Sequence, residues 1–235
     1  MNMKKRQIIL DTETTGINPK DGHRIVEIGC VELINRRYTG NNYHVYINPE
    51  RIIEAEVVAI HGLTNERLKD EPKFRDIAQG FYNYIQGAEL VIHNAPFDVG
   101  FINHEFSLLS RPIAALEQYC TVLDTLALAR ELHPGQKNNL DALCRRYDIN
   151  NSHRTLHGAL LDAEILADVY LMMTGGQVSL NLANEQDNKQ QHAGELRIER
   201  SGRLAVINAT EQELAAHQAR LDVVQKKGGI CLWRD

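Results

Sequence analysis

Residues 6–16 read RQIILDTETTG, an apolar run that leads into two acids and ends at a glycine. We expect residues 6–12 to form a buried strand that ends in the turn at residues 14–16. Because positions i and i+2 of an extended chain point to the same face, the carboxylates of Asp11 and Glu13 should project together. An isolated pair of this kind most often only solvates the end of a strand. Other motifs must therefore decide whether it has a role.

The segments that follow predict an α/β fold with a mixed sheet and flanking helices. Apolar and polar residues alternate as in half-buried strands at 24–34 and 43–47, and a hairpin-like stretch lies between them. The first three strands should therefore form an antiparallel meander. A short buried strand is expected at 89–93. Helical spacing covers residues 74–85, 97–109, 122–132, 140–147 and 157–173.

Composition and charge limit the class of protein. With 235 residues, 43% hydrophobic and 24% charged, the chain is typical of a globular protein and unlike a disordered or collagen-like one. We expect no signal peptide and no membrane span, and four scattered cysteines without a CxxC motif suggest reduced thiols in the cytoplasm. A protein that holds nucleic acid by its own charge normally has a basic excess. The net charge of −5 therefore indicates either no polyanion, or weak binding helped by metal ions and a partner.

The composition changes after residue 173, which predicts a first domain over 1–176, a flexible linker over 177–195 and a C-terminal segment over 196–235. Residues 183–195 of the linker are rich in Gln and Asn and contain no large apolar residue. Residues 204–207 could form a strand, and residues 210–227 have the capping box and the terminal glycines of a helix. This helix cannot bury its apolar side chains alone, so it should fold onto a partner. The predicted contacts are Leu214, Leu221, Leu232 and Trp233.

Two further motifs carry acids at helix starts. HNAPFD at 93–98 joins a strand to a helix and places Asp98 in the first helical turn, where an acid is also favoured by the helix dipole alone. HGALLD at 157–162 contains His157 and Asp162, which an ideal helix would separate by roughly 140°. His157 should therefore lie at the helix entry or in the preceding loop and reach a site from another side than Asp162. Such an oxygen-rich set suits Mg²⁺ or Mn²⁺, and no Cys/His set has zinc spacing.

Taken in order, residues 11–16, 93–98 and 157–162 resemble the three motifs of the DEDD exonucleases in their histidine subclass. His61-Gly62-Leu63-Thr64 resembles the segment that lies beside the substrate terminus in that family. The linker and the ending at 225–233 are similar to those of proofreading subunits of bacterial replicative DNA polymerases. The resemblance implies a ribonuclease H-like fold and a 3′→5′ exonuclease that removes mispaired nucleotides from the 3′ end of DNA.

The resemblance also implies roles for single residues. Asp11, Glu13 and Asp162 would hold the first of two divalent ions, Mg²⁺ or Mn²⁺, together with the attacking water and the substrate. Asp11 would bridge to the second ion, Asp98 would support that ion, and His157 would take the proton from the water. Candidates to grip or wedge the terminal nucleotide are Thr14, His61 and Phe97, and core packing explains Phe97 equally well.

Partners are implied in the same way. The C-terminal segment would bind the catalytic (alpha) subunit of the polymerase, and the resemblance allows a small accessory (theta-like) subunit. Residues 177–182 read QVSLNL and resemble the peptide by which bacterial polymerases bind the sliding clamp. Leu180 and Leu182 would then enter an apolar pocket while Gln177 forms hydrogen bonds at its rim. Packing of both leucines against the preceding helix is the alternative.

Two other functions stay open at this point. The acids do not distinguish RNA from DNA, so a free-standing exoribonuclease or oligoribonuclease is possible, although it would have no need of a linker and a docking tail. A non-catalytic adaptor that stabilises a polymerase is the second alternative. The presence of all four acids and the histidine argues against it.

Overall fold

The computed structural model describes residues 5–152, 156–175, 209–229 and 233. The chain divides into two units, Met1–Leu180 and Asn181–Asp235, which are considered separately. The first unit holds the sheet and seven of the described α-helices, and the second holds the eighth.

The sheet of the first unit has six strands: β1 (Arg6–Thr14), β2 (Ile25–Ile34), β3 (Arg37–Tyr38), β4 (Tyr43–Tyr46), β5 (Glu89–Ile92) and β6 (Thr121–Asp124). Its order is β3-β2-β1-β5-β6, and β4 also pairs with β2. β2 runs antiparallel to β1, β3 and β4, whereas β5 runs parallel to both β1 and β6. The antiparallel meander and the mixed sheet are therefore as expected from the sequence.

The helices of this unit are α1 (Ala55–His61), α2 (Asn65–Leu68), α3 (Phe74–Ile85), α4 (Ala95–Ser107), α5 (Thr125–Leu132), α6 (Leu140–Tyr147) and α7 (Ala159–Gly175). The predicted helices at 74–85 and 140–147 have the expected bounds. The helix predicted at 97–109 begins at Ala95 instead, and the one predicted at 157–173 begins at Ala159.

Helices cover both faces of the sheet because the side chains of β1 alternate between two cores. Ile8 and Leu10 pack in the core formed with α3 and α4. Ile9 packs on the other face against Ala163 and Leu166 of α7. Asp11 and Glu13 have the same parity as Ile9, so they lie on the α7 face at the end of the strand.

One predicted helix is partly wrong. Residues 121–124 form the edge strand β6, paired in parallel with β5, and only 125–132 are helical. The helix begins there because the Asp124 side chain accepts a hydrogen bond from the Leu126 backbone N–H at 2.9 Å. The short elements α1, α2 and β3 were not predicted. Contacts with the sheet, such as those of Leu68 with Val26, stabilise the α1–α2 segment.

The start of α7 lies directly on β2 at Gly29. A Cβ atom there would come within 2.2 Å of the Ala159 carbonyl carbon and of the Leu160 backbone nitrogen. Because Gly29 is also the register partner of Asp11, this close approach brings the first turn of α7 to the end of β1. Because Gly29 has no side chain, α7 can lie close to β2, and this close approach sets the position of Asp162.

The second unit contains α8 (Glu211–Gly228). Its predicted capping box is confirmed, since the Glu213 backbone N–H donates to the Thr210 hydroxyl and the Thr210 backbone N–H donates to the Glu213 carboxylate. The possible strand at 204–207 lies outside the described residues. None of the helices described in either unit combines the length and the apolar character that crossing a bilayer requires.

Candidate active site

A cavity of about 290 Å³ lies where the carboxyl ends of β1 and β5 meet the starts of α4 and α6 and the entry to α7. The structure places the four predicted acids, the predicted histidine and Phe97 around it. Its lining residues are Asp11, Thr12, Glu13, His93, Asn94, Phe97, Asp98, Asn139, Leu140, Asp141, His157 and Asp162.

Three of these side chains point at a common centre. Ligand atoms of Glu13, His157 and Asp162 all lie within 4.8 Å of one another. His157 Nδ1 is 3.3 Å from Asp162 Oδ2, and the histidine is about half exposed while the aspartate is buried. His157 precedes α7 by two residues, and its backbone N–H donates to the Ile60 carbonyl at 3.1 Å. The histidine thus reaches the site from the helix entry, as the helical angle predicted.

Asp98 of α4 approaches the cavity from the face of the sheet opposite to α7. It is 3% exposed, and the Thr12 hydroxyl donates to its Oδ1 at 2.6 Å. Burial raises the pKa of Asp98 to about 7, although the hydrogen bond from Thr12 opposes the shift. The ionised form is therefore unfavourable in this place unless a cation lies beside it.

A left-handed residue sets the direction of α4. Asn94 has φ +64° and ψ +51°, a conformation that asparagine tolerates better than most residues. Its backbone N–H donates at 3.1 Å to the same Asp124 carboxylate that caps α5. This links the turn before α4 to β6 and fixes where Asp98 enters the cavity.

The predicted substrate-binding residues are spread over two places. Phe97 lines the cavity and also packs against Phe101, with ring centroids 5.0 Å apart, so its two interpretations both agree with the geometry. Thr14 and His61 do not line the cavity. Both are buried; the Thr14 hydroxyl donates to the Gly16 carbonyl, and His61 Nδ1 accepts a hydrogen bond from the Leu63 backbone N–H.

The environment of His61 favours its neutral form. Burial lowers the pKa of His61, the backbone of Thr14 opposes this shift, and the nearby His157 adds to it. Since the Leu63 N–H occupies Nδ1, the proton of the neutral ring belongs on Nε2. His61 is thus a hydrogen-bond donor close to the general-base candidate.

Sequence reasoning missed the side of the cavity formed at the start of α6. Asn139 caps this helix by accepting from the Ala142 N–H at 2.9 Å. Asp141 accepts from the Asn151 side chain at 3.0 Å. The N-cap signal at Asn139 was present in the sequence, but nothing local connected it with the acids of β1.

The predicted partner-binding residues are only partly described. Leu214 is exposed, Leu221 is buried and Trp233 is 83% exposed. Gln177, Leu180, Leu182 and Leu232 lie outside the described residues.

Comparison with known proteins agrees with this geometry. The exonuclease family RNase T matches residues 8–170. The DNA polymerase III subunit epsilon of Escherichia coli (strain K12) is 57% identical over 97% of both chains. The chain belongs to the DNA polymerase III epsilon-subunit family. Other epsilon subunits, from Haemophilus influenzae and from Buchnera aphidicola of Schizaphis graminum, are 52% and 49% identical and match 94% and 100% of their own lengths.

Solved structures with the same fold are exonucleases. Exonuclease X in complex with 5′ overhanging duplex DNA is 28% identical with a TM-score of 0.57, over 72% of this chain and 92% of that one. Exonuclease I has a TM-score of 0.64 at 17% identity, over 73% of this chain and 41% of that one, which shows the fold alone. The family resemblance and the ribonuclease H-like mixed sheet predicted from the motifs are confirmed, and the epsilon-family chain is a 3′→5′ exonuclease.

Proposed function

We propose that this exonuclease proofreads DNA as a subunit of a bacterial DNA polymerase III, removing mispaired 3′-terminal nucleotides by hydrolysis of the phosphodiester bond. The observation that carries the proposal is the meeting of Asp11, Glu13, Asp98, Asp162 and His157 in one cavity. Relatives that share 57% of the sequence over nearly the whole chain are named as epsilon subunits of this polymerase, which supports the same assignment here.

The acids fit a pair of divalent cations. Carboxylate oxygens are the ligands that Mg²⁺ and Mn²⁺ prefer, and Asp98 is a buried carboxylate whose charged form needs such a neighbour. Asp11, Glu13 and Asp162 would hold one ion, while Asp11 and Asp98 would hold the second. Two bound ions supply activation of a water and stabilisation of the leaving oxygen.

His157 would act as the general base. The ring stands at the mouth of the cavity, and its contact with Asp162 orients it. A neutral imidazole can accept a proton from water, and a positioned general base contributes roughly 10²–10⁴ in rate.

The terminal nucleotide would be held by general contacts rather than by base-specific ones. Phe97 at the cavity wall could stack on a base, which is worth ~1–3 kcal/mol without sequence preference. His61 and the backbone of Thr14 would bind from beside the cavity. With a net charge of −5 the chain should hold DNA weakly, so selectivity would follow from the readier fraying of a mismatched end.

We further propose three regions: an exonuclease domain over 1–176, a linker over 177–195 that binds the sliding clamp, and a segment over 196–235 that binds the alpha subunit. A subunit of the replication machinery would work in the cytoplasm. The family resemblance also allows a small accessory subunit on the exonuclease domain.

An assay of the full chain on mismatched-primer DNA, matched-primer DNA and short RNA, with and without Mg²⁺, tests the function. We expect Mg²⁺-dependent removal of the mismatched nucleotide. A preference for RNA would favour the oligoribonuclease alternative. An inactive chain that still stabilises the polymerase would favour the adaptor.

The same assay tests the roles of the acids and the histidine. Asp11→Ala should lose nearly all activity with an unchanged unfolding midpoint, because it would remove the residue proposed to bind both ions. Asp70→Ala, at an exposed acid, is the matched control and should behave as the unaltered chain. His157→Ala should keep the rise in unfolding midpoint caused by Mn²⁺ and lose ~10²–10⁴ in rate. Substantial activity of Asp11→Ala in Mg²⁺ would contradict the two-metal assignment.

A further inference from the structure

A buried acid that belongs to none of the motifs stands beside the predicted metal site. Glu27 of β2 is 3% exposed. Its Oε1 lies 2.7 Å from Nε2 of His44 on β4, and this is the only side-chain hydrogen bond of Glu27 among the residues that the structure describes. The His44 ring meets Tyr46 edge-on with centroids 4.8 Å apart. Glu27 is thus held from the β4 side.

The register of the sheet places Glu27 next to a predicted metal ligand. Glu27 is the direct partner of Glu13 across the antiparallel pair of β1 and β2, and Gly29 is the partner of Asp11. Direct partners project to the same face with Cβ atoms about 4.5–5.5 Å apart. Glu27 therefore shares the α7 face with Glu13 and Asp11.

The placement of Glu27 directly opposite Glu13 is electrostatically unfavourable when no cation is bound. Like charges directly opposite each other on paired strands destabilise a sheet, and a buried charge is costly unless it is well paired. His44, at about one-third exposure, is the one side chain described that forms a hydrogen bond with the Glu27 carboxylate. A divalent cation bound by Glu13 would compensate the remaining negative charge.

We propose that Glu27, held by His44, is a positioning residue for the metal site; this rests on the proposed function. Because His44 fixes Glu27 over β2, repulsion between the two glutamates disfavours a Glu13 side chain that leans toward β2. Glu13 is thereby directed toward Asp162 and His157, the other members of the converging group. The negative charge of Glu27 also raises the affinity of the site for a divalent cation.

The full chain with Glu27→Gln tests this, because glutamine keeps the shape and removes the charge. We expect the Mn²⁺ concentration for half of the metal-induced rise in unfolding midpoint to increase about tenfold, as for other groups that orient metal ligands. The Mn²⁺ dependence of nuclease activity should shift equally, while the KM for DNA at saturating Mn²⁺ stays unchanged. A merely structural loss would lower the unfolding midpoint without moving either metal dependence.

Glu32→Gln is the matched control. Glu32 is a buried acid of the same strand, bound by Arg6 at 2.6 Å and by Thr39 at 2.7 Å, but it partners Ile8 and thus lies on the other face. This variant should lose stability and keep the Mn²⁺ dependence of the unaltered chain. If Glu32→Gln shifted that dependence as much as Glu27→Gln, the specific role of Glu27 would be refuted.

His44 offers a second pair of variants should Glu27→Gln not fold. His44→Ala should weaken Mn²⁺ binding severalfold because Glu27 loses its anchor, and His44→Gln, which can still donate a hydrogen bond, should restore most of it. Unchanged Mn²⁺ dependence in both Glu27→Gln and His44→Ala would overturn the proposal and leave the pair as a link between strands. Failure of the proposed function would look different, since the unaltered chain would then show no cation-dependent nuclease activity.

Discussion

Asp98 shows how the burial of a single carboxylate favours a cation in the proposed site. The carboxylate is enclosed by the α4 side of the sheet, and the Thr12 hydroxyl is its neighbour at 2.6 Å. Burial raises the pKa of Asp98 to about 7, because the hydrogen bonds from the Thr12 side chain and from the backbone do not offset the loss of water. The ionised Asp98 carboxylate is therefore unfavourable in the folded chain, and a bound cation would stabilise it.

The free energy of unfolding of the metal-free chain should depend on pH through the ionisation of Asp98. Its folded-state pKa of about 7 exceeds the ~3.9 of an unfolded aspartate, so the native state binds more protons than the unfolded state between these values. This contribution to stability is fully present below about pH 4 and is lost as the pH rises toward 7, by at most ~1.4 kcal/mol per pH unit. The Asp98→Asn variant should not lose stability in this way as the pH rises, because its side chain does not ionise.

The measurement is urea unfolding in EDTA between pH 4.5 and 8, since EDTA keeps cations from the site. Asp98→Asn should gain stability relative to the unaltered chain as the pH rises. Asp70→Asn, at an exposed acid, should follow the unaltered chain throughout. Equal pH slopes for the unaltered chain and Asp98→Asn would show that Asp98 does not titrate in this range.

The contact between α7 and β2 decides whether the site assembles. α7 carries Asp162 in its first turn and follows His157, and its start rests on Gly29 without room for a side chain. Its residues Leu166 and Tyr170 bury the same sheet face that carries Asp11 and Glu13. A small shift of this helix would therefore separate the acids of α7 from those of β1.

Gly29→Ala should lower both stability and activity. The added Cβ would overlap the α7 backbone, which cannot rotate away as a flexible side chain would. We expect a loss of about 1–3 kcal/mol in the free energy of unfolding, as for overpacked cores, and a fall in nuclease rate under conditions where the chain stays folded.

Gly80→Ala is the matched control in α3, because a Cβ there meets nothing within 4 Å. As an exposed helix position it should gain about 0.5–1 kcal/mol. Urea unfolding and the mismatched-primer assay give both quantities. A Gly29→Ala chain as stable and active as Gly80→Ala would contradict the close packing of α7 on β2.

At the level of the whole chain, the exonuclease unit and the C-terminal unit have different surfaces. The first unit buries most of its large apolar side chains in two cores on either side of the sheet. In the second, Leu214, Val223, Val224 and Trp233 are exposed although Leu221 is buried. Exposed apolar groups with a tryptophan are typical of a binding surface.

Deleting residues 196–235 should leave the nuclease activity on single-stranded DNA intact and abolish co-purification with the polymerase alpha subunit. The reason is that the cavity residues all lie between 11 and 162, whereas the exposed apolar side chains of α8 are removed. Pull-down with the alpha subunit and a single-strand assay measure the two effects. Retained co-purification would place the docking site elsewhere.

A labelled peptide spanning residues 175–185 should bind the sliding clamp with modest affinity, because ordering a free peptide on binding offsets part of the contact energy. Tethering through the polymerase makes weak contact sufficient. Titration of the clamp against this peptide measures the affinity. Equal binding by a peptide with Gln177→Ala and Leu180→Ala would discard the motif.

Features that depend on neighbouring residues in the chain were predictable from the sequence. The helices Phe74–Ile85 and Leu140–Tyr147 follow from apolar periodicity, and the capping box at Thr210 follows from two residues three apart. The projection of Asp11 and Glu13 to one face follows from the period of a strand. Such patterns can be recognised in the sequence because the interactions that produce them join residues only a few positions apart.

Other features exist only once distant segments pack together. The helix predicted at 122–132 begins only at Thr125, and residues 121–124 form β6, because pairing with β5 and the cap at Asp124 outweigh local preference. The raised pKa of Asp98, the fit of Gly29 under α7 and the Glu27–His44 pair depend on contacts between residues 17 to 131 positions apart. Burial and charge in a site are properties of the packed molecule, so the motifs identified the acids while the tertiary structure decided their arrangement around one cavity.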